Sequence, residues 1–564
     1  MGIKINKRIL LGMFLFCFGF MTSICDAKDI GKDFDKESSQ IVRVGIMTNG
    51  FKSLERSSVC VYGTSSVTIK EVDSDKEIAQ ISEGENISFS IEGKQVRCSS
   101  KNGNVVSKSS KGFVVSPTNG VLGVRDLKRA GKDAIYRGDF RILPNSKGSA
   151  LYLINYVELE EYLRGVVPNE MPSKFGVEAL KSQAVAARNY AITPRTKVSK
   201  SYDVVDSVAS QVYFGKNTET STGDEAIKQT LGIVAMYNHV PILALYSSCA
   251  GGYIENYSYA FSDPDTKQFP SPLRAYLMAK PDIQNTKPLN REDEAYEFYS
   301  KTPPSYDVKS KYYRWKREWT RTELENVLKT TLVKQSKTGF VKPEFCNNSK
   351  LGQLKEIKVI RRGNSGKIIF LDIVTTNGRY RISKELVIRR LFTKDGKALP
   401  SANVVFKCGT DNYNDLTTIT AFGGGFGHGV GMSQYGAFYM ATELKKSFID
   451  ILKHYYTGIY LGTVPIEVGE EKVEQFFYPP SKKAVIVLND RKGLNALQVQ
   501  INGKTCNFNL GKFYNIQRCE LDISSHIKAG KINRIEYTPA SQNRRVTTDM
   551  SKGPIKIEVY IKFL

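Results

Sequence analysis

An α+β chain is predicted: a mixed, β-rich core carrying a few helices, followed by an all-β, sandwich-like C-terminal domain. Three observations predict it. Short apolar alternations divided by Gly, Ser and Asn run from Ile41 to about Val124, one alanine-rich stretch after Pro172 has a helical period, and residues 470–564 return to short strands between turn residues. With 564 residues, 41% hydrophobic and 24% charged, the chain is long enough for about two to four globular domains.

The elements follow in order. Lys4, Lys7 and Arg8 precede an apolar run from Ile9 to Met21, and Cys25-Asp26-Ala27 offers a small-residue cleavage site, so residues 1–27 read as a signal peptide. The run is shorter than the roughly 20 residues of a spanning helix, which favours a cleaved signal over an N-terminal anchor. Residues 28–125 form a β-rich part with alternating runs at Val59–Tyr62, Val67–Ile69 and Ile87–Ile91. The main core is placed at 126–465. In it Val177, Leu180, Ala184 and Ala187 recur at helical spacing, with Pro172 and Ser173 marking a helix start. Ile242–Tyr246 reads as a buried strand, and residues 280–310, rich in Pro, Lys, Asp and Glu without a period, as a surface insertion. A meander (Leu354–Val359, Ile368–Val374, Tyr380–Ile382), a helix at Glu385–Leu391 and two more at Ser433–Ala441 and Phe448–Tyr456 complete the core. The C-terminal runs, Ala484–Leu488 through Ile555–Ile561, suggest a separate sandwich. Leu521–Asn533 is similar to a segment common in galactose-binding-like jelly rolls, which makes carbohydrate binding and plain packing equal readings of that domain.

The chain carries a formal net charge of +24, and loss of residues 1–27 removes three basic residues and one acidic residue. Such a chain is attracted to polyanions. After export these are wall polymers and the anionic envelope surface, and nucleic acid is not an expected partner. A Lys-rich proteome explains the charge equally well. Seven cysteines follow the signal. Chain order suggests Cys60 with Cys98, Cys346 with Cys408 and Cys506 with Cys519, leaving Cys249 alone.

Three segments carry the chemistry: Glu161 to Pro172 (EYLRGVVPNEMP), Val177 to Ala191 (VEALKSQAVAARNYA) and Gly425 to Ala437 (GFGHGVGMSQYGA). Shorter pieces lie between and around them in order: Ile41–Ile46, Tyr136–Gly138, Gln211–Tyr213, Tyr246–Gly252, Arg361–Gly366 and His454–Tyr456. Together they resemble the SpoIID/LytB family, the stage II sporulation protein D group and its non-sporulation relatives, from about residue 40 to about residue 460.

The resemblance implies a SpoIID-like core with helices around a cleft, and a peptidoglycan lytic transglycosylase whose single catalytic acid is Glu170. Its reaction cleaves MurNAc-GlcNAc bonds of glycan strands, stripped of stem peptides in the sporulation branch, and leaves 1,6-anhydro ends. The alternative is a non-catalytic, peptidoglycan-binding enhancer of an amidase, since the LytB branch includes such enhancers. Peptidoglycan glycan strands, and an amidase or other wall hydrolase, are the expected partners; no cofactor is expected.

Glu170 is read at the mouth of the alanine-rich helix, where a bland role would be to complement the helix dipole. Lys181 and Arg188, seven apart, share a helix face and with Gln183 are candidate substrate contacts or, equally, buried partners of acids. Gln211, Tyr213, Tyr246 and Ser248 join the candidate substrate set through the family pieces. In the loop, His428, Ser433, Gln434 and Tyr435 are candidate polar anchors, and amides freed by the glycines are candidate donors to sugar; the resemblance sets this loop near Glu170. A Ser433–His428 nucleophile pair lacks an evident acid to orient it, and Cys249 with His239 or His428 would be a thiol hydrolase. Some sporulation members carry a Cys, His, Cys cluster before the Gln-x-Tyr piece, whereas Tyr202–Gln211 here holds no Cys or His, so no metal site is expected.

Overall fold

A computed structural model describes residues 41–74, 76–193, 199–282, 286–468, 472–489, 496–510, 518–538 and 557–564. The expected signal peptide lies outside the described residues. The described residues form two compact units, one combining those up to Leu243 with those of Tyr460–Leu564, the other those of Ala244–Ile459. Among the described residues eight helices accompany several sheets, an α+β architecture rich in strands.

In the first unit a seven-stranded sheet runs, by strand, 204–205, 41–45, 151–158, 139–144, 113–117, 67–71, 77–81. A six-stranded sheet runs 132–136, 122–129, 58–63, 87–92, 95–99, 105–109. Alternate residues point inward, as in Val67 and Ile69 or Ile87 and Phe89, and Phe89 of one sheet meets Phe113 of the other at 5.7 Å between ring centroids. The strand Leu151–Glu158 runs straight into helix α1, Leu159–Glu170. Helix α2, Val177–Ile192, is buried nearly all round, with its alanines permitting close approach, and α3, Ser221–Lys228, packs beside it. Asn189 of α2 clamps the next strand, donating to Ala235 and Ile242 carbonyls and accepting from the Ala235 amide.

That strand, Ile233–Tyr237, belongs to a third sheet that continues through 460–463, 557–563, 484–489 and 519–522. Residues after 470 therefore complete a sheet begun before Leu243. They also supply the four-stranded sheet 473–477, 533–538, 496–501, 504–509, whose last hairpin turns on Asn502-Gly503, both at positive φ.

In the second unit a three-stranded sheet (315–320, 416–423, 404–410) and a four-stranded one (341–342, 378–383, 368–375, 354–362) share a core of Trp319, Leu324, Leu328, Ile368, Leu371 and Ile419. The segment 280–310, expected as an irregular surface insertion, instead contains helix α4, Glu292–Ser300, whose Ala295, Phe298 and Tyr299 are buried with Tyr253, Leu289 and Val405. Its apolar residues are too few and too spread for a period to stand out. Helix α5, Arg321–Ser336, starts on a Thr320/Glu323 capping box; α6, Glu385–Leu391, α7, Gln434–Thr442, and α8, Phe448–Tyr455, follow.

All seven described cysteines are free thiols. Cys60 and Cys98 flank the strand 87–92, opposite Ser88 and Phe89, so two strand spacings of about 5 Å separate them, beyond the ~7 Å Cα reach of a disulfide. Cys506 and Cys519 lie in different sheets.

Candidate functional site

Glu170 is the last residue of α1, not the first of the alanine helix. Pro172 forces Met171 into extended conformation (φ −134°, ψ 117°), which ends α1; a 3-10 turn at Ser173–Phe175 and Gly176 then precede α2. The dipole role considered for a helix start does not apply. Glu170 is half-buried, and its Oε1 accepts the Val212 amide at 2.7 Å. Two tyrosines sense its charge. Burial, then Glu170, push the Tyr190 hydroxyl up to about 12, and Tyr162 is raised well above the phenol range chiefly by burial, with Glu170 contributing.

The segment supplying that amide is held from behind. Tyr162 donates to Gln211 Oε1 (3.1 Å), Gln211 Nε2 donates to the Ala187 carbonyl (3.4 Å), and Tyr213 donates to Asn155 (2.9 Å) while its ring lies 4.9 Å from that of Tyr162. Arg188 is fully buried, bidentate to Glu160 at 2.8 and 2.7 Å, and donates to the Ile233 carbonyl at 2.8 Å. Lys181 is half-buried and paired with Glu178 at 2.6 Å.

In the second unit the glycine-rich loop is stitched to residues 245–255. Tyr246 and Ser247 pair in parallel with Met432 and Ser433, Cys249 and Phe426 exchange both backbone bonds, and the Glu255 amide donates to Gly429 at 2.7 Å. A side chain at Gly431 (φ +70°) would place its Cβ 2.1 Å from the Leu245 carbonyl oxygen, so glycine is required there by close passage of the chain itself. Six of the loop amides are used internally. Gly425 donates to Tyr312, Phe426 to Cys249, Gly427 to Pro400, Gly429 to Ser247 Oγ, Val430 to His428 Nδ1 and Met432 to Leu245.

Because its Nδ1 accepts the Val430 amide, His428 carries its proton on Nε2. Burial, then Lys367 and Arg389, push His428 down to about 3, so it is neutral at physiological pH. Lys367 itself is fully buried, donates to Asn403 at 2.7 Å, and is lowered by burial. Ser433 caps α7, accepting from the Gly436 and Ala250 amides, and donates to buried Asp307. Asp307 is pushed up to about 7 by burial and by the nearby Asp282 carboxylate, which hydrogen-bonds His454 Nε2 at 2.9 Å. Cys249 is buried, and desolvation raises its thiol well above the usual range. Among the described residues no group of three or more His, Cys, Asp or Glu side chains is gathered to hold a metal ion, and no helix is long and apolar enough to cross a membrane.

Residues 147–237, which contain Glu170 and its tyrosine frame, match the family model described as SpoIID, stage II sporulation protein. A stage II sporulation protein D of Bacillus amyloliquefaciens is 30% identical over 325 residues, covering 54% of this chain and 74% of that protein. The chain belongs to the SpoIID family. The Bacillus subtilis stage II sporulation protein D is 28% identical over 326 residues, 55% of this chain and 76% of that one. An amidase enhancer of the same species is 32% identical over 308 residues, and the match spans 53% of this chain but only 40% of that relative's length. Residues 263–431 match a domain of unknown function (DUF8618).

In this SpoIID chain several residues expected at substrate are interior. Gln183, Arg188, Gln211, Tyr213 and Ser433 are essentially without exposure and Gln434 nearly so. Arg188 is paired with the Glu160 carboxylate inside the unit. Lys181, Tyr246, Ser248, His428 and Tyr435 are half-buried. Ser433 is oriented by Asp307 and not by His428, and a Cys249 protonated through burial is a poor nucleophile. Asp307 went unseen in the sequence because it lies 126 residues from Ser433 in a stretch without a period. Lys367 directly follows the Arg361–Gly366 family piece, the one signal that pointed near it.

Proposed function

We propose that this SpoIID-family chain is an exported lytic transglycosylase acting on peptidoglycan glycan strands, with Glu170 as its acid. The observation that supports the reading is a half-exposed carboxyl held in place by a backbone amide on a buried frame, Val212 in front and Tyr162, Gln211 and Tyr213 behind. One carboxyl is enough when the nucleophile is the muramyl C6 hydroxyl of the substrate itself and not water. Since Oε1 accepts the Val212 amide, the transferable proton belongs on Oε2. Glu170 gives it to the leaving glycosidic oxygen, C6–O attacks the anomeric carbon, and the carboxylate takes the C6 hydroxyl proton, closing the 1,6-anhydro ring.

The test is mass spectrometry of purified glycan strands after incubation with the protein. Anhydro-muramyl ends are expected, and Glu170→Gln is expected to lower their release by roughly 100-fold or more while glycan binding persists. Reducing ends, or an active Glu170→Gln protein, would refute it. The amidase-enhancer relative supports a second reading, in which the chain binds wall glycan and stimulates an amidase. Under that reading Glu170→Gln leaves stimulation unchanged and no anhydro ends form.

A further inference from the structure

Beside His428, in the second unit, two arginines that fall within the match to a domain of unknown function stand without acid partners. They lie over the two tyrosine rings of the 3-10 turn Tyr257–Tyr259. Arg274 lies 4.3 Å over the Tyr257 ring and donates to the Tyr276 hydroxyl at 3.0 Å; exposed Arg361 lies 5.3 Å from the Tyr259 ring centroid and donates to its hydroxyl at 3.2 Å. Neither is ion-paired among the described residues. Tyr257 stacks on Phe261 at 5.1 Å, and Phe261 meets the His428 ring edge to face at 5.2 Å, so the arginines, the aromatic ridge and the glycine-rich loop are contiguous. Backbone bonds from Tyr257 to Leu277 and from Ser271 to Ser258 fix the segment. Of the two acids within it, Asp263 and Asp265, Asp263 accepts the Asp265 and Thr266 amides on Oδ1.

A guanidinium stacked on a ring has lost most of its rotamer freedom before any ligand arrives, and one hydrogen bond to a tyrosine leaves most of its N–H donors for a planar anion. Half-exposed Tyr259 and Phe261 offer apolar surface suited to the C–H face of a sugar. Charge without a partner beside aromatic surface is the complement of a polymer that alternates sugar rings with carboxylates.

We infer that Arg274 and Arg361, set on the 257–261 aromatic ridge, form a glycan site that takes the strand through the free lactyl carboxylate of its muramyl sugars. This rests on the glycan reading given above; stripped strands are already what the family resemblance implies, and the pair of guanidiniums that reads the freed carboxylate is what the ridge adds.

Full-length protein bearing Glu170→Gln, which prevents turnover, is titrated with three glycans: stripped strands, the same strands with carboxylates converted to methylamides, and strands still bearing stem peptides. Stripped strands are expected to bind about 10-fold tighter than the methylamide form, as two charge-assisted contacts allow. Arg274→Gln with Arg361→Gln is expected to erase that preference while far-UV circular dichroism stays unchanged. If the double variant misfolds, Arg361→Gln alone, at an exposed site, is expected to reduce the preference about 3-fold. Equal binding of stripped and methylamide strands, a preference surviving both substitutions, tighter binding of peptide-bearing strands, or no glycan binding would each overturn the inference. Anhydro-end release by the native chain is scored separately, so a chain that shows the carboxylate preference but makes no such ends loses the transglycosylase reading alone.

Discussion

Asp307→Asn offers the sharpest test of the polar cluster beneath the glycine-rich loop. Asp307 is raised from 3.8 to about 7 by burial and then by Asp282, with Ser433 and the Gly252 amide as its hydrogen-bond donors. His454, Tyr455, Cys249, Tyr313 and Arg314 also face this pair. A carboxyl whose folded value lies above its unfolded one contributes stability in full below about 3.8, loses it as the pH rises, and levels off past about 7. The slope is about 1.4 kcal/mol per pH unit, so up to about 3 kcal/mol disappears between about pH 5 and pH 7. His428 works in the opposite direction. Lowered to about 3, it contributes stability above its unfolded 6.5 and loses it as the pH falls, which masks Asp307 in a raw curve. The quantity to measure is therefore the difference between native and Asp307→Asn proteins in urea unfolding at several pH values. Tryptophan emission is the probe, since both tryptophans, Trp315 and Trp319, lie in the second unit and Trp315 Nε1 donates to the Gly425 carbonyl at 3.1 Å. The native advantage should shrink by about 3 kcal/mol across that window and then stay level. A difference that is constant, or that grows with pH, would show that Asp307 is not held protonated by the fold.

Two further substitutions separate framework from contact. Arg188→Met removes the guanidinium from the Ile233 carbonyl and from the Glu160 carboxylate, which keeps the Gly232 amide, and should cost about 3–5 kcal/mol by far-UV circular dichroism, with Glu160→Gln restoring about 1–3 kcal/mol of it. A weakened glycan affinity with an unmoved unfolding midpoint would return Arg188 to the substrate. Gly431→Ala should cost more than about 2 kcal/mol, because strain at φ +70° adds to the clash with the Leu245 carbonyl, whereas Gly503→Ala at φ +82°, with open space around it, should cost about 1 kcal/mol. Equal costs would mean that the loop yields to accommodate a side chain.

The alanine-rich helix was legible because its period is local, and so was its neighbour's closing glutamate as a residue, though not as an element. Pro172 is both a helix-start signal and a brake on the residue before it, and here the brake acts on the preceding helix. The meander at 354–383 was readable from alternation, and Glu385–Leu391 from its period. The shared sheet was not, because the pairing of Ile233 with Thr463 joins strands far apart in sequence, and no local pattern records which edge a strand will meet. The same separation hid the Asp307–Ser433 contact. Cysteine order misled because adjacency along the chain says nothing of the strand inserted between Cys60 and Cys98.

The glycines of the loop invite comparison with anion cradles, where amides point at a ligand. Here the amides of Gly425, Phe426, Gly427, Gly429, Val430 and Met432 are already bonded to the chain, so the glycines serve a backbone threading past residues 245–255. With these six amides occupied, recognition at this face falls mainly to side chains. His428 presents a neutral imidazole whatever the pH above about 3, which supplies no charge to an anionic strand. The guanidiniums on Tyr257 and Tyr259 share this edge with Lys384, which donates to Ser262 at 2.9 Å, and that is why salt dependence is informative. If they hold a carboxylate, raising the salt from about 0.05 to 0.5 M should weaken binding of stripped strands but leave methylamide strands nearly unaffected. If the salt dependence of stripped strands is unchanged in the Arg274→Gln, Arg361→Gln protein, the general positive charge of the chain, and not the ridge, attracts the glycan.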